Sequence, residues 1–276
     1  MKVYEQGAVT IYQSALWKTT STIYEGEQFI LLVDPTWLPQ EVEEIRSHVE
    51  RIRRERPLYL LFTHGDFDHI IGYGAFPDAQ VIGSEKMQHH PKKEYKLGLI
   101  ADFDHEYYID RPYPIMFPTI DHVITTNGQQ LTIGETTLTF YLAPGHTADG
   151  LFTLIEPAGV WITGDYLSDF ELPYLFDSAK AYLKTLDLAE KIVDRHDVTL
   201  LIPGHGTWAT DPNEMRERVQ QGCDYLTRLI EAVQMNDKVK MKQIGQEMDY
   251  PSSFTRECHQ ENIAIIKKEL VLEDKK

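Results

Sequence analysis

Between Thr63 and His69 the chain reads Thr63-His64-Gly65-Asp66-Phe67-Asp68-His69, directly after the apolar run Leu58-Tyr59-Leu60-Leu61-Phe62. Two imidazoles and two carboxylates (His64, Asp66, Asp68 and His69) therefore stand at the exit of a run that reads as a buried strand. A strand has no structural use for such groups there, because burying them without partners is costly and solvating them needs no clustering. The chemistry that this pattern points to is metal ligation. Three more His or Asp residues end apolar runs: His146 in Ala143-Pro144-Gly145-His146-Thr147, Asp165 in Trp161-Ile162-Thr163-Gly164-Asp165, and His205 in Leu201-Ile202-Pro203-Gly204-His205-Gly206. Each of these exits carries a glycine, the residue that lets backbone pass close to a ligand. Together the four exits offer seven candidate ligands.

The ordered set resembles that of the metallo-β-lactamase-fold hydrolases, a superfamily that includes glyoxalase II and the acyl-homoserine lactonases. The first motif of that family has the form His-x-His-x-Asp-His, followed by a His, a bridging Asp and a last His, in the order found here. The resemblance runs from about residue 19 to residue 207. One position departs, since Asp66 stands where the family has its second His. Mapped residue by residue, the resemblance implies one metal ion held by His64, Asp66 and His146, a second held by Asp68, His69 and His205, and Asp165 bridging the two. Two divalent ions are thus the implied cofactor, zinc first. A carboxylate at position 66 is a harder ligand than imidazole and shifts preference toward manganese or iron(II). It also changes the charge of the site by one unit. Three carboxylates and a bridging hydroxide would then balance two divalent ions, so the bridging water is expected to be less acidic than in the His-containing relatives.

The activity implied is metal-assisted hydrolysis, in which a metal-held hydroxide attacks a polarised carbonyl or phosphoryl group and no side-chain nucleophile is needed. Asp68 is a candidate proton acceptor, and Tyr166, next to the bridging Asp165, is a candidate contact for a developing oxyanion. The family cleaves thioesters, lactones, β-lactams and phosphodiesters, and fold alone does not choose among them. Only 40 positions separate Asp165 from His205, which leaves no room for the large inserted domain of the nuclease branch. A small ester, lactone or thioester is the first expectation and a small phosphodiester the second. A di-iron redox enzyme is a third, because flavodiiron proteins resemble this fold and carry a carboxylate at the position of Asp66. Against it, the chain leaves no room for their flavodoxin domain after residue 207. A non-catalytic metal-binding role would not require keeping all seven ligands.

The formal net charge of −16 argues against a nucleic-acid partner, which would normally need a basic face. With 276 residues, 42% of them hydrophobic, the chain can build a sizeable core in one large or two small domains. Nothing in the first thirty residues reads as a signal peptide, and no apolar stretch is long enough to span a bilayer. The expected setting is cytoplasmic, with no membrane partner. Cys223 and Cys258 belong to no paired motif and read as small buried residues on C-terminal helices. The expected partners are a small-molecule substrate and, as one use of the segment 91–119, a second copy of the chain.

The elements that must position these residues can be read from periodicity. Residues 19–24 and 29–34 suggest a hairpin around Glu25-Gly26-Glu27-Gln28 that ends at Asp34, and the resemblance places Asp34 where it would orient a metal ligand. Val42, Ile45, Val49 and Ile52 predict a helix over 39–55. A β-rich stretch follows over 121–165, then a helix through Ala179, Leu183, Leu186, Ile192 and Val193, and a strand over 198–202. Residues 211–235 and 254–271 read as helices. The fold class expected is α/β, a four-layer αββα sandwich of the metallo-β-lactamase type over 1–210, with a helical extension over 211–276 packed on it. The segment 91–119 reads as a long aromatic loop with Tyr95, Tyr107, Tyr108, Tyr113 and Phe117 and the basic residues Lys92, Lys93, Lys96 and Arg111. Such a loop serves equally as a lid or as a homodimer contact. Tyr166 to Phe176 is a second candidate wall of the pocket.

Overall fold

A computed structural model describes residues 1–248 and 253–273. The chain divides into two compact units, Met1–Leu142 with Leu151–Ala158, and Ala143–Gly150 with Gly159–Lys276. Among the described residues the strands fall into two sheets, and the class is α/β as expected.

The first unit opens with four antiparallel strands, β1 (Lys2–Gln6), β2 (Val9–Gln13), β3 (Thr20–Glu25) and β4 (Ile30–Val33). The last two are the predicted hairpin. Helix α1 (Pro39–Arg53) then carries the chain to β5 (Leu58–Leu61), which pairs parallel to β4. It starts as its sequence suggests: Pro39 occupies the first turn, and the Glu41 carboxylate accepts from the Leu38 N–H at 3.0 Å. Val42, Ile45 and Val49 are buried against Ile30, Leu32, Leu58 and Leu60 of the sheet. Each such side chain contributes about 1.5–3 kcal/mol on burial.

The unit continues through the single turn α2 (Phe67–Ile70), β6 (Gln80–Ser84), α3 (Glu85–Gln88), α4 (Lys93–Glu106) and β7 (His122–Ile124). Strands β5, β6 and β7 are parallel, which completes a seven-stranded sheet in sequence order. Strands β8 (Gln129–Ile133), β9 (Thr136–Leu142) and β10 (Leu151–Glu156) form an antiparallel meander.

The expectation of a loop over 91–119 is corrected here. Half of that segment is α4, whose buried residues are Lys96 and Ile100, with Leu97 and Phe103 partly covered. A lysine at an inward position breaks the apolar period that would have announced the helix. The chain beyond α4 is tied down by Arg111, which donates to the Asp104 carboxylate at 2.7 and 2.8 Å and to Trp37 O at 2.8 Å. Tyr95, Tyr107 and Tyr108 remain exposed.

The second unit contains β11 (Val160–Gly164), α5 (Ala179–Arg195), β12 (Leu200–Pro203), α6 (Pro212–Gln234), α7 (Lys238–Glu247) and α8 (Ser253–Glu273). Strands β11 and β12 are parallel, and α5 connects them. Ser178 caps α5 by accepting from Ala181 N, and Asp211 caps α6 by accepting from Asn213 N. The helices after residue 210 thus share a compact unit with β11, β12 and α5. Cys223 lies on α6 and is half-buried, and Cys258 lies on α8 and is buried; both are free. No helix among the described residues is long and apolar enough to cross a membrane.

Candidate metal centre

In the first unit the parallel register does the positioning. Val33, the last residue of β4, pairs with Leu61, the last of β5. Asp34 therefore stands beside the chain as it leaves β5, and its N–H donates to Leu61 O at 3.1 Å. The Asp34 carboxylate is buried and accepts three bonds: from Thr63 N at 3.0 Å, from Thr63 Oγ1 at 2.6 Å and from His69 Nδ1 at 2.9 Å. An ionised carboxylate only accepts, so Thr63 Oγ1 and His69 Nδ1 carry the protons. With its own proton given to Asp34, Thr63 Oγ1 accepts from His64 Nδ1 at 3.0 Å. One carboxylate thus fixes both imidazoles in the tautomer that leaves the Nε2 lone pair available for a metal.

The remaining carboxylates of the motif lie on that lone-pair side. Asp66 Oδ2 is 4.0 Å from His64 Nε2, and Asp68 Oδ2 is 3.5 Å from His69 Nε2. The two imidazole centroids are 4.2 Å apart. Helix α2 begins immediately after Asp66, which brings Asp68 and His69 into one turn, and Thr36 Oγ1 fastens that turn by donating to Asp68 O at 2.6 Å. The second oxygen of Asp66 is also engaged: Lys96 Nζ, delivered by α4, lies 2.5 Å from Oδ1. Both side chains are buried, with Lys96 8% and Asp66 7% exposed.

In the second unit, β11 and β12 run parallel with Gly164 paired to Pro203, so their exits, Asp165 and Gly204-His205, come side by side. The approach is close: a Cβ on Gly204 would fall 1.9 Å from Asp165 Oδ1, which no other residue permits. His146 follows Gly145, whose φ of +133° and contact with the Tyr182 backbone also admit only glycine. Asp165 Oδ2 lies 3.3 Å from His146 Nε2 and 3.3 Å from His205 Nε2. His146 Nδ1 donates to Tyr174 O at 2.8 Å, which turns its Nε2 toward Asp165. His205 Nδ1 faces Glu171 Oε1 at 3.9 Å. A carboxylate oxygen equidistant from two imidazole nitrogens has the geometry of a ligand shared between two ions. The donor set, imidazole nitrogen and carboxylate oxygen, suits zinc, manganese or iron(II).

Of the seven sequence-predicted ligands, four lie in the first unit and three in the second. Tyr166 is a correction. Its hydroxyl donates to Pro144 O at 2.8 Å, lies 3.2 Å from Ala143 O, and accepts from His146 N at 3.0 Å. Its one proton is committed to backbone, and burial pushes its pKa well above the usual 10. Tyr166 holds the turn that carries His146 and does not offer its hydroxyl to an oxyanion.

Three further residues were given no role at the centre by the sequence reading: Lys96, named there only among the basic residues of 91–119, Glu171 and Asn262. Asn262 of α8 is fully buried, accepts from Leu175 N at 2.8 Å and donates to Pro173 O at 2.7 Å and to the Tyr225 hydroxyl at 3.0 Å. It clasps both neighbours of Tyr174, whose carbonyl orients His146. The loop expected as a second wall, Tyr166 to Phe176, is therefore held from within the unit, with Leu172 and Leu175 buried and Phe176 exposed. A signal for Lys96 exists in its helical spacing with Ile100 and Phe103. Nothing in the sequence singles out Asn262.

A family model described as Metallo-beta-lactamase superfamily matches residues 15–205. Among solved structures, the stereoselective inverting sec-alkylsulfatase from Pseudomonas sp. is 16% identical with a TM-score of 0.70, over 97% of this chain and 50% of its own. The chain spans about half the length of that protein. A metallo-beta-lactamase family protein from Thermus thermophilus is 16% identical with a TM-score of 0.65, over 95% of this chain and 93% of its own. The B3 metallo-beta-lactamase BLEG-1 is 21% identical with a TM-score of 0.59, over 76% and 96%. At these identities the likeness is one of fold, and it does not single out the glyoxalase II and lactonase branch.

Proposed function

Because the chain belongs to the metallo-beta-lactamase superfamily, whose members are mostly metal-dependent hydrolases, we propose that it hydrolyses a small ester, lactone or thioester. In this reading one divalent ion is held by His64, Asp66 and His146, a second by Asp68, His69 and His205, and Asp165 serves both. The observation that carries it is Asp165 Oδ2, equidistant at 3.3 Å from His146 Nε2 and His205 Nε2. Bound ions would supply Lewis acidity toward the scissile carbonyl and an activated water. The chain's own residues do the rest. Asp34, directly at His69 and through Thr63 at His64, and Tyr174 O at His146 keep three imidazoles in the tautomer that presents Nε2. Asp68 accepts the proton released on attack and returns it to the leaving group. Tyr166 and Gly145 hold His146 in place. Zinc is the first choice of metal, and the proposed setting is cytoplasmic.

The test is a panel of carboxylic esters, lactones and thioesters, with a secondary alkyl sulfate and a phosphodiester alongside, assayed after chelation and after metal is restored. The reading expects metal-dependent cleavage of at least one carbonyl substrate and its loss in Asp165→Asn. Cleavage of the phosphodiester alone would move the reading to a small-molecule phosphodiesterase. Oxygen consumption by iron-loaded protein without hydrolysis would replace it with the di-iron redox enzyme.

A further inference from the structure

We propose that Asp66 and Lys96 act as a single composite ligand: the lysine holds Oδ1 and cancels the carboxylate's charge, and Oδ2 alone does the work of the family's neutral imidazole. The proposal rests on the metal-binding reading above. Asp66 is the one position at which this chain departs from the motif, and an unassisted aspartate there has two consequences. It removes one unit of positive charge from the site, and it offers two ligand atoms where imidazole offers one.

Lys96 reverses both. Its ammonium lies 2.5 Å from Oδ1, while Oδ2 points toward His64 Nε2 at 4.0 Å, so the two oxygens have separate partners. With Oδ1 held, the aspartate is a one-atom ligand and cannot chelate through both oxygens. With the ammonium counted, the site regains the charge that the substitution removed, and the expectation of an electrically neutral centre no longer holds. Lys96 occupies the inward face of α4, where Ile100 is fully buried. An apolar side chain would normally fill that position, because a buried ammonium is tolerated only beside a partner.

The two residues should therefore be exchangeable only together. Asp66→His alone leaves the Lys96 ammonium buried with its carboxylate gone. Lys96→Met, close in size and apolar, leaves Asp66 uncompensated and free to turn. Asp66→His/Lys96→Met restores a neutral one-atom ligand beside an apolar neighbour. The experiment measures zinc affinity by competition with a chromophoric chelator, and zinc content by elemental analysis, for wild type, both single variants and the double variant. The thermal midpoint of each metal-free protein is recorded as a separate readout.

Each single variant is expected to bind zinc about tenfold more weakly, a change of about 1.4 kcal/mol, and the double variant to recover to within about threefold of wild type, a coupling of the size expected for residues in contact. Should Lys96→Met fail to fold, the comparison of Asp66→His with the double variant decides, since the proposal requires the double variant to bind more tightly. Losses that simply add, or Asp66→His binding as tightly as wild type with Lys96 intact, would overturn the composite ligand and leave the metal centre standing. A wild-type protein that binds no divalent ion would overturn both.

Discussion

One buried carboxylate, Asp34, sets the tautomer of two imidazoles, and the candidate centre depends on it although the residue lies outside the motif. Asp34→Asn replaces an acceptor by an amide that must turn its NH2 either toward the Thr63 N–H or toward both Thr63 Oγ1 and His69 Nδ1. Metal affinity is expected to fall about 10- to 100-fold, as for other groups that orient ligands, with little change in the circular dichroism spectrum; chelator competition reads it. Gly204→Ala is expected to be harsher, because its Cβ would occupy the space of Asp165 Oδ1. Loss of bound metal and a lowered thermal midpoint would show it. The motif residues were legible in sequence because clustered polar groups at the exits of apolar runs have no cheap structural explanation. Asp34 was legible through the resemblance alone. Tyr166 was misread because its place next to Asp165 says nothing about where a hydroxyl proton goes, and here it goes to Pro144 O.

At the scale of elements, α8 reaches His146 through Asn262 and the carbonyl of Tyr174. Asn262→Leu strands Leu175 N and Pro173 O, each unsatisfied group costing about 1–3 kcal/mol. The account expects a lowered denaturation midpoint together with weaker metal binding. An Asn262→Leu protein that lost stability but kept wild-type metal affinity would confine the role to packing. The same helices carry a pH dependence. His259 on α8 donates from Nε2 to Met241 O and accepts at Nδ1 from the Tyr225 hydroxyl, linking α6, α7 and α8. Burial lowers its pKa below the ordinary 6.5, and burial lowers that of His48 in the first unit likewise. The folded state therefore keeps these rings neutral while the unfolded chain takes up protons. Their contribution is complete above the unfolded value of 6.5 and is lost as pH falls through the lowered folded values. Denaturant midpoints taken from about pH 7.5 to about pH 5.5 should decline, and less steeply in His259→Gln. Helices α1, α5, α6 and α8 were legible because their apolar residues repeat at helical spacing. Helix α4 was not, since a lysine stands on its inward face, and α7 was not, since its two buried residues, Met241 and Ile244, sit among lysines. Strand β1 is largely exposed and gives no alternation to read.

At the scale of the whole molecule, the net charge of −16 is the dominant long-range property. A net charge of this sign slows the approach of an anionic substrate at low salt. For a thioester bearing carboxylates, kcat/KM is expected to rise with ionic strength as screening shortens the reach of the protein's field, while an uncharged lactone should show little change; parallel rate measurements across a salt series separate the two. The central claim, however, is a dinuclear centre served by Asp165. It is tested most directly by elemental analysis of protein purified without added metal, with Asp165→Ala prepared alongside. The account predicts about two divalent ions per chain in the wild type and a clear loss in the variant. Equal metal content in both proteins, or a wild type without bound metal, would contradict it.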